Sequence, residues 1–246
     1  MIERSSDEDL GEIIRWLATE AAEGNSTFHP NRNLIAQGHV DGELLVLREH
    51  EKVVAFALGE PGIIDILETR PGYRGRGLGR RLAQHCIDRA AAADVAVIEC
   101  ECAPPTSLPF WQAMGFERIP SRYGHNPRVL LRVDKRHRLP SGSPVAVVIR
   151  TFDEEALYRE AVPSLHEYRP TAVRLESGKI ALAERILLHE PTLPNGHDLA
   201  VEIEVDGELV VFDKAKRQKM SAIGVRHDRF QYFFLDRINP EATAED

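Results

Sequence analysis

The sequence predicts an α/β domain, a mixed central sheet flanked by helices, followed by a second, smaller strand-rich α+β domain. Three observations carry this. Apolar runs with strand character alternate with helical patterns from Met1 to about residue 136. A charged stretch then gives way to Pro-, Gly- and Ser-rich sequence at 137–144, the signature of a linker. Beyond it, short runs separated by turn signals dominate up to residue 239, and no internal repeat links the halves.

The elements follow in order. Ser6, with Asp7, Glu8 and Asp9 behind it, starts a helix: a capping hydroxyl, then acids in the positive first turn. Ile13, Ile14, Trp16 and Leu17 supply its apolar stripe. One short helical turn is expected near Leu34. Strands are expected over 43–48, 53–58 and 63–69, punctuated by Asp41-Gly42 and Glu60-Pro61-Gly62. A helix from Leu78 to Ala92 repeats Leu78, Leu82, Cys86 and Ala90 along one side. A strand over 95–102 precedes a short helix containing Phe110, Trp111 and Met114, which Gly115 ends. Strands over 116–119 and 129–133 close the domain. In the second domain a strand over 145–150 and a short helix over 153–161 come first. Asp206-Gly207 signals a hairpin between 200–205 and 208–212. A second hairpin is expected between 222–225 and 230–235, its Phe230, Tyr232, Phe233 and Phe234 supplying a core face. The basic run from Asp213 to Met220 reads as a solvated loop, and 240–246 as a disordered tail.

Composition excludes several classes. The formal net charge of -8 argues against a general nucleic-acid-binding surface. No run approaches the roughly 20 apolar residues of a membrane span, and the charged N-terminus lacks a signal-peptide core. Three cysteines are too few for a disulfide framework. A cytoplasmic setting is expected. Cys100 and Cys102 share a strand face, which reads as core rather than metal site, and the histidines lack ligand spacing.

The chemistry concentrates in Arg74-Gly75-Arg76-Gly77-Leu78-Gly79-Arg80, between a strand and a helix. Backbone N–H groups and the helix dipole favour an anion there, and the glycines admit close approach. A nucleoside-triphosphate loop would need Gly-Lys-Ser/Thr, which Gly79-Arg80-Arg81 does not supply. A dinucleotide fingerprint would need glycine where Arg80 stands, and several strands precede this loop.

Arg74, Gly77 and Gly79 match the pattern Arg/Gln-x-x-Gly-x-Gly/Ala, and Pro109-Phe-Trp-Gln-Ala-Met-Gly-Phe116 forms a helix-to-strand block. With these two blocks the first 135 or so residues resemble the GNAT superfamily of N-acetyltransferases. The resemblance implies acetyl-CoA as cosubstrate, no metal, and direct acetyl transfer to a primary amine. It implies a cofactor site from the backbone of Leu67, Glu68 and Thr69, the loop Arg74, Gly75, Arg76, Gly77, Leu78, Gly79 and Arg80, and Phe110. It also implies a carboxylate base, for which Asp65 ranks first, Glu68 second, and Glu99 or Glu101 third. Strand alternation places Asp65 with Ile63 and Leu67, and Glu68 on the other face. Two positions depart from the family. Trp111 replaces the usual acidic tyrosine, leaving Tyr123 as the substitute, and Pro104 replaces a hydrogen-bonding asparagine. The alternative reading is therefore an acetyl-CoA sensor or a partner-binding module. The acceptor stays open among small-molecule amines, protein amines and aminoacylated RNA. The second domain could wall the acceptor cleft, form a homodimer interface or recognise a macromolecule.

Overall fold

The computed structural model describes residues 1–120, 126–191, 193, 198–228 and 232–243. The chain divides into two units, Met1–Val133 and Asp134–Asp246.

In the first unit the order is β1 (Ile2–Arg4), α1 (Asp7–Ala22), α2 (Arg32–Val40), β2 (Leu44–Glu49), β3 (Lys52–Leu58), β4 (Ile63–Ile64), β5 (Ile66–Thr69), α3 (Leu78–Ala92), β6 (Val97–Glu101), α4 (Leu108–Ala113), β7 (Glu117–Ile119) and β8 (Arg128–Arg132). The strands form two four-stranded sheets, β1-β2-β3-β5 and β4-β6-β8-β7. Only the β4–β6 pair is parallel among the described pairs of this unit.

Ser6 and Asp9 form a reciprocal capping box at the start of α1, with Ser6 N donating to Asp9 Oδ2 at 2.7 Å. Alternation along β2 then sorts the core into two layers. Leu44 and Val46, with Phe56 and Ile66, pack on Ile13, Trp16 and Leu17 of α1, while Leu45 and Leu47 pack on Leu78 and Leu82 of α3. The first sheet is thus covered by helices on both faces. The expected single turn near Leu34 is a nine-residue helix. Ile35 is fully buried in it, and Gly38 lies so close to β3 that an added Cβ would stand 2.0 Å from Leu58 Cδ1. The polar Ile2–Arg4 edge strand had no apolar pattern to announce it.

The second unit contains β9 (Ser143–Pro144), β10 (Val147–Asp153), β11 (His166–Tyr168), β12 (Ala172–Arg174), β13 (Ile180–Leu188), β14 (Leu199–Val205), β15 (Glu208–Lys214), α5 (Gln218–Ile223), β16 (Arg226–Asp228) and β17 (Tyr232–Ile238). Two antiparallel sheets, β11-β10-β14-β15 and β16-β17-β13-β12-β9, contribute to one apolar core. The Asp206-Gly207 turn has positive φ at both residues, 54° and 86°, as a tight hairpin requires.

Several expectations change here. The 137–144 stretch is not a free linker: His137 N donates to Ala183 O at 2.8 Å, and Ser143–Pro144 pair with β12. The expected helix over 153–161 is a short 3-10 turn, Glu154–Leu157. The expected strand over 222–225 is the end of α5, broken by Gly224 at φ 120°, and the hairpin partner of β17 is β16 instead. Phe230 lies outside the described residues, whereas Tyr232, Phe233 and Phe234 are buried. The basic run is not one loop, since β15 runs to Lys214 and α5 begins at Gln218 with Met220 fully buried, but residues 216–219 are exposed as expected. Pro240–Thr243 form a 3-10 turn rather than part of a structureless tail; residues 244–246 lie outside the described residues. No helix among the described residues is long and apolar enough to cross a membrane.

Candidate active site

The site begins where one strand changes sheets. Residues 63–69 do not form one continuous strand: β4 pairs with β6, β5 pairs with β3, and Asp65 stands at the break. Alternation is lost there. Ile64 and Leu67, three residues apart, both pack toward the α3 and α4 side, whereas regular pleating would oppose them. The same slip brings Asp65 and Glu68 into the wall of one cavity. Their expected opposition across the strand is thereby corrected.

Each half-strand is the edge of its sheet, so two clefts open beside the break. The first, of about 440 Å³, is lined by Leu67, Thr69, Tyr73, Arg74, Gly75, Gly77, Leu78, Gly79, Arg80, Ser107 and Phe110. Gly75 and Gly77 take φ of 77° and 78°, a conformation costly for other residues, and a Cβ on either would meet nothing within 4 Å. The loop therefore offers open backbone at the N-terminus of the 15-residue helix α3. Arg70 N donates to Val54 O at 2.9 Å, which fixes the β3–β5 ladder so that Glu68 N faces β3 while Leu67 N and Thr69 N face outward. Thr69 N is occupied by Glu68 Oε1 at 3.1 Å. The Leu67 amide is thus the outward donor best placed for a ligand.

The second cleft, of about 410 Å³, adjoins the first. Leu67, Arg74, Ser107 and Phe110 line both. Its carboxylates are Glu20, Asp65, Glu68 and Glu101. Asp65 is an exposed residue, yet partial desolvation at the cavity wall, followed by repulsion from Glu60, sets its carboxyl above its ordinary range. Burial also raises Glu68, against the opposing pull of Arg74, whose Nη2 donates to Glu68 Oε1 at 2.9 Å. Among the described residues neither Asp65, Glu20 nor Glu101 has a cationic partner; Trp16 donates to Glu20 and Asn126 to Glu101, whereas Asp65 stands at the break between β4 and β5.

Of the expected cofactor residues, Leu67, Thr69, Arg74, Gly75, Gly77, Leu78, Gly79, Arg80 and Phe110 line the first cleft. Glu68 and Arg76 do not. The Glu68 side chain belongs to the second cleft, and Arg76 is drawn away to Glu49 Oε2 at 2.8 Å. Of the lower-ranked bases, Glu101 lines the second cleft and accepts a hydrogen bond from Asn126 Nδ2 at 2.6 Å, while Glu99 is held by Arg128. Tyr123 lies outside the described residues. Trp111 is 5% exposed and packed edge-on to both Phe110 and Phe116, so it serves as core as well as cavity wall. Pro104 lines the second cleft. Cys100 and Cys102 belong to the core, and burial raises the Cys100 thiol; that of Cys86 is pushed up to about 11.

Sequence reasoning missed Glu20, Tyr73 and Ser107. Glu20 falls on the inner face of α1, four residues after Trp16, a position whose helical spacing from the apolar stripe was the available signal. Ser107 carries a buried hydroxyl with no oxygen or nitrogen partner, and the break before α4 gave no hint of its placement.

Residues 11–116 match the model of the Acetyltransferase (GNAT) family. A comparison with curated proteins finds no significant match. Among solved structures, a GNAT-family acetyltransferase from Bacillus cereus is 17% identical, covering 54% of this chain and 94% of that one, with a TM-score of 0.42. The ribosomal-protein-S18-alanine N-acetyltransferase from Escherichia coli is 20% identical, with coverages of 54% and 93% and a TM-score of 0.41. N-acetylglutamate synthase from Neisseria gonorrhoeae, complexed with coenzyme A and N-acetyl-glutamate, is 16% identical, with coverages of 56% and 35% and a TM-score of 0.44.

Proposed function

We propose that this chain, whose residues 11–116 are a GNAT-family acetyltransferase domain, moves an acetyl group from acetyl-CoA directly to a primary amine. The observation that carries the reading is the junction of the two clefts at Leu67, Arg74, Ser107 and Phe110. One cleft has the positive, glycine-lined character a pyrophosphate needs. The other carries a free carboxylate with a raised proton affinity. An acyl group held at their common wall faces both.

Acetyl-CoA supplies a thioester whose carbonyl accepts the amine. The Leu67 N–H is the donor positioned for the oxyanion that develops there. Asp65 takes the proton that the attacking nitrogen must lose, with Glu68, paired with Arg74, as the alternative base. In the transfer a C–N bond forms, the C–S bond breaks, and the departing thiolate takes one proton. Coenzyme A and an N-alkylacetamide are the products.

Trp111 and Pro104 favour a second reading, in which acetyl-CoA is bound without efficient turnover. An indole N–H is a poor acid, and proline has no N–H to give. Thiol release from acetyl-CoA across an amine library, run beside calorimetry of cofactor binding, separates the readings. Amine-dependent release supports the transferase. Binding without release supports the sensor, and no binding at all removes both.

A further inference from the structure

Resting on the transferase reading, we propose that the acceptor is a linear diamine or longer polyamine, one of whose cationic centres is held by Glu20 while another amine reacts.

Glu20 is the starting point. It lies on the inner face of α1 and is only 7% exposed. Its carboxylate accepts a hydrogen bond from the Trp16 indole, but has no cationic partner among the described residues. The two arginines that line these cavities, Arg70 and Arg74, form their ion pairs with other carboxylates. Arg70 stacks over Trp16, with 4.8 Å to the ring centroid, yet pairs with Glu12 at 3.1 Å. Arg74 pairs with Glu68. Buried carboxylates are normally paired, because desolvation penalises a lone charge heavily. An uncompensated one in a cavity wall points to a cation supplied by the ligand.

The surroundings select the ligand's shape. Glu20, Asn25 and Pro71 line both the acceptor cleft and a further cavity of about 400 Å³, which also contains Thr19, Glu23 and Arg70. Glu20 therefore stands at the common border of two adjoining spaces. An extended, narrow acceptor with its reacting amine beside Asp65 passes Glu20 on its way into the second space.

Charge is separated in the same sense. Among the described residues the cofactor cleft contains Arg74 and Arg80 and no carboxylate, while the acceptor cleft sets Glu20, Asp65, Glu68 and Glu101 against Arg74 alone. One carboxylate suffices to deprotonate an amine. The surplus suits an acceptor that stays positively charged after its reacting nitrogen has become neutral. Glu20 also adds its negative charge to the upward push on Glu68, a repulsion that a bound ammonium relieves.

The test compares 1,5-diaminopentane with pentan-1-amine, which match in carbon chain but differ by one ammonium. Thiol release is measured for the full chain with acetyl-CoA, in the parent and in Glu20→Gln, whose amide oxygen can still accept from Trp16. The diamine is expected to be preferred in kcat/KM by about 10- to 100-fold, the range of one charge-assisted hydrogen bond. In Glu20→Gln the ratio should fall toward about two, the statistical advantage of two equivalent amines. A ratio of about two or less in the parent overturns the proposal, whatever the variant does. So does turnover of basic peptides where diamines fail. Calorimetry of both amines against protein saturated with coenzyme A gives a readout that needs no turnover. Selective diamine binding without thiol release keeps the ligand class and removes the transferase reading. Equal binding of the two amines overturns the ligand class alone.

Discussion

Gly79→Leu should weaken cofactor binding sharply while leaving the fold intact. Gly79 lies inside the first turn of α3, with no positive φ to protect. A Cβ there meets Thr69 Oγ1 at 3.4 Å, Leu67 Cδ2 at 3.7 Å and Phe110 Cε2 at 3.8 Å, all ordinary contacts. Replacing a helical glycine gains up to about 1 kcal/mol in backbone entropy, less near a helix end. The rest of the leucine enters the 440 Å³ cleft between β5 and α4. Displacing about ten ligand atoms, at about 0.3 kcal/mol each, costs about 3 kcal/mol. That is roughly a 150-fold rise in Kd. Calorimetry with coenzyme A, paired with urea denaturation of the same preparation, measures both quantities. Gly77→Ala is the contrasting control. Its φ of 78° should cost about 1–2 kcal/mol of stability through strain, although the added methyl meets nothing. Unchanged coenzyme A affinity in a stably folded Gly79→Leu protein would refute the placement of the cofactor.

Two further outcomes follow from the carboxylates. Asp65→Asn should lower kcat by about 10²-fold or more with little effect on coenzyme A affinity. Parent turnover should rise with pH as the raised Asp65 carboxyl ionises; if that acid limb persists in the variant, Asp65 is not the base. Asp9 behaves in the opposite sense. Burial works to raise its carboxyl, but hydrogen bonds from Arg48 and Ser6 prevail and hold it below its ordinary value. The stability it contributes is present in full above the unfolded-state pKa and is lost as pH falls through the lower native one. Asp9→Asn should therefore cost about 2 kcal/mol in urea denaturation at pH 7, from lost charge-assisted bonds, and progressively less toward pH 3. A cost that does not shrink with acid would show that shape, not charge, is what Asp9 supplies.

The glycine loop was legible because its requirements are local. A glycine needed at positive φ, an arginine-rich turn and a helix start are written in consecutive residues, so Arg74 to Gly79 could be read from the sequence alone. The capping box at Ser6 and the Asp206-Gly207 hairpin were legible for the same reason. What tertiary structure decided was which distant groups share a cavity. The pairing of β4 with β6 and of β5 with β3 interrupts the strand at Asp65, and no alternation rule applied along 63–69 can foresee that. This break turns Asp65 and Glu68 into one wall. Likewise, nothing in the spacing of α1 shows that its Glu20 lies opposite them without a counter-charge. Local backbone chemistry therefore determined the glycine-lined cleft of this protein. The acidic cleft was decided by sheet pairing and burial, which set charges from α1, β5 and β6 around one space.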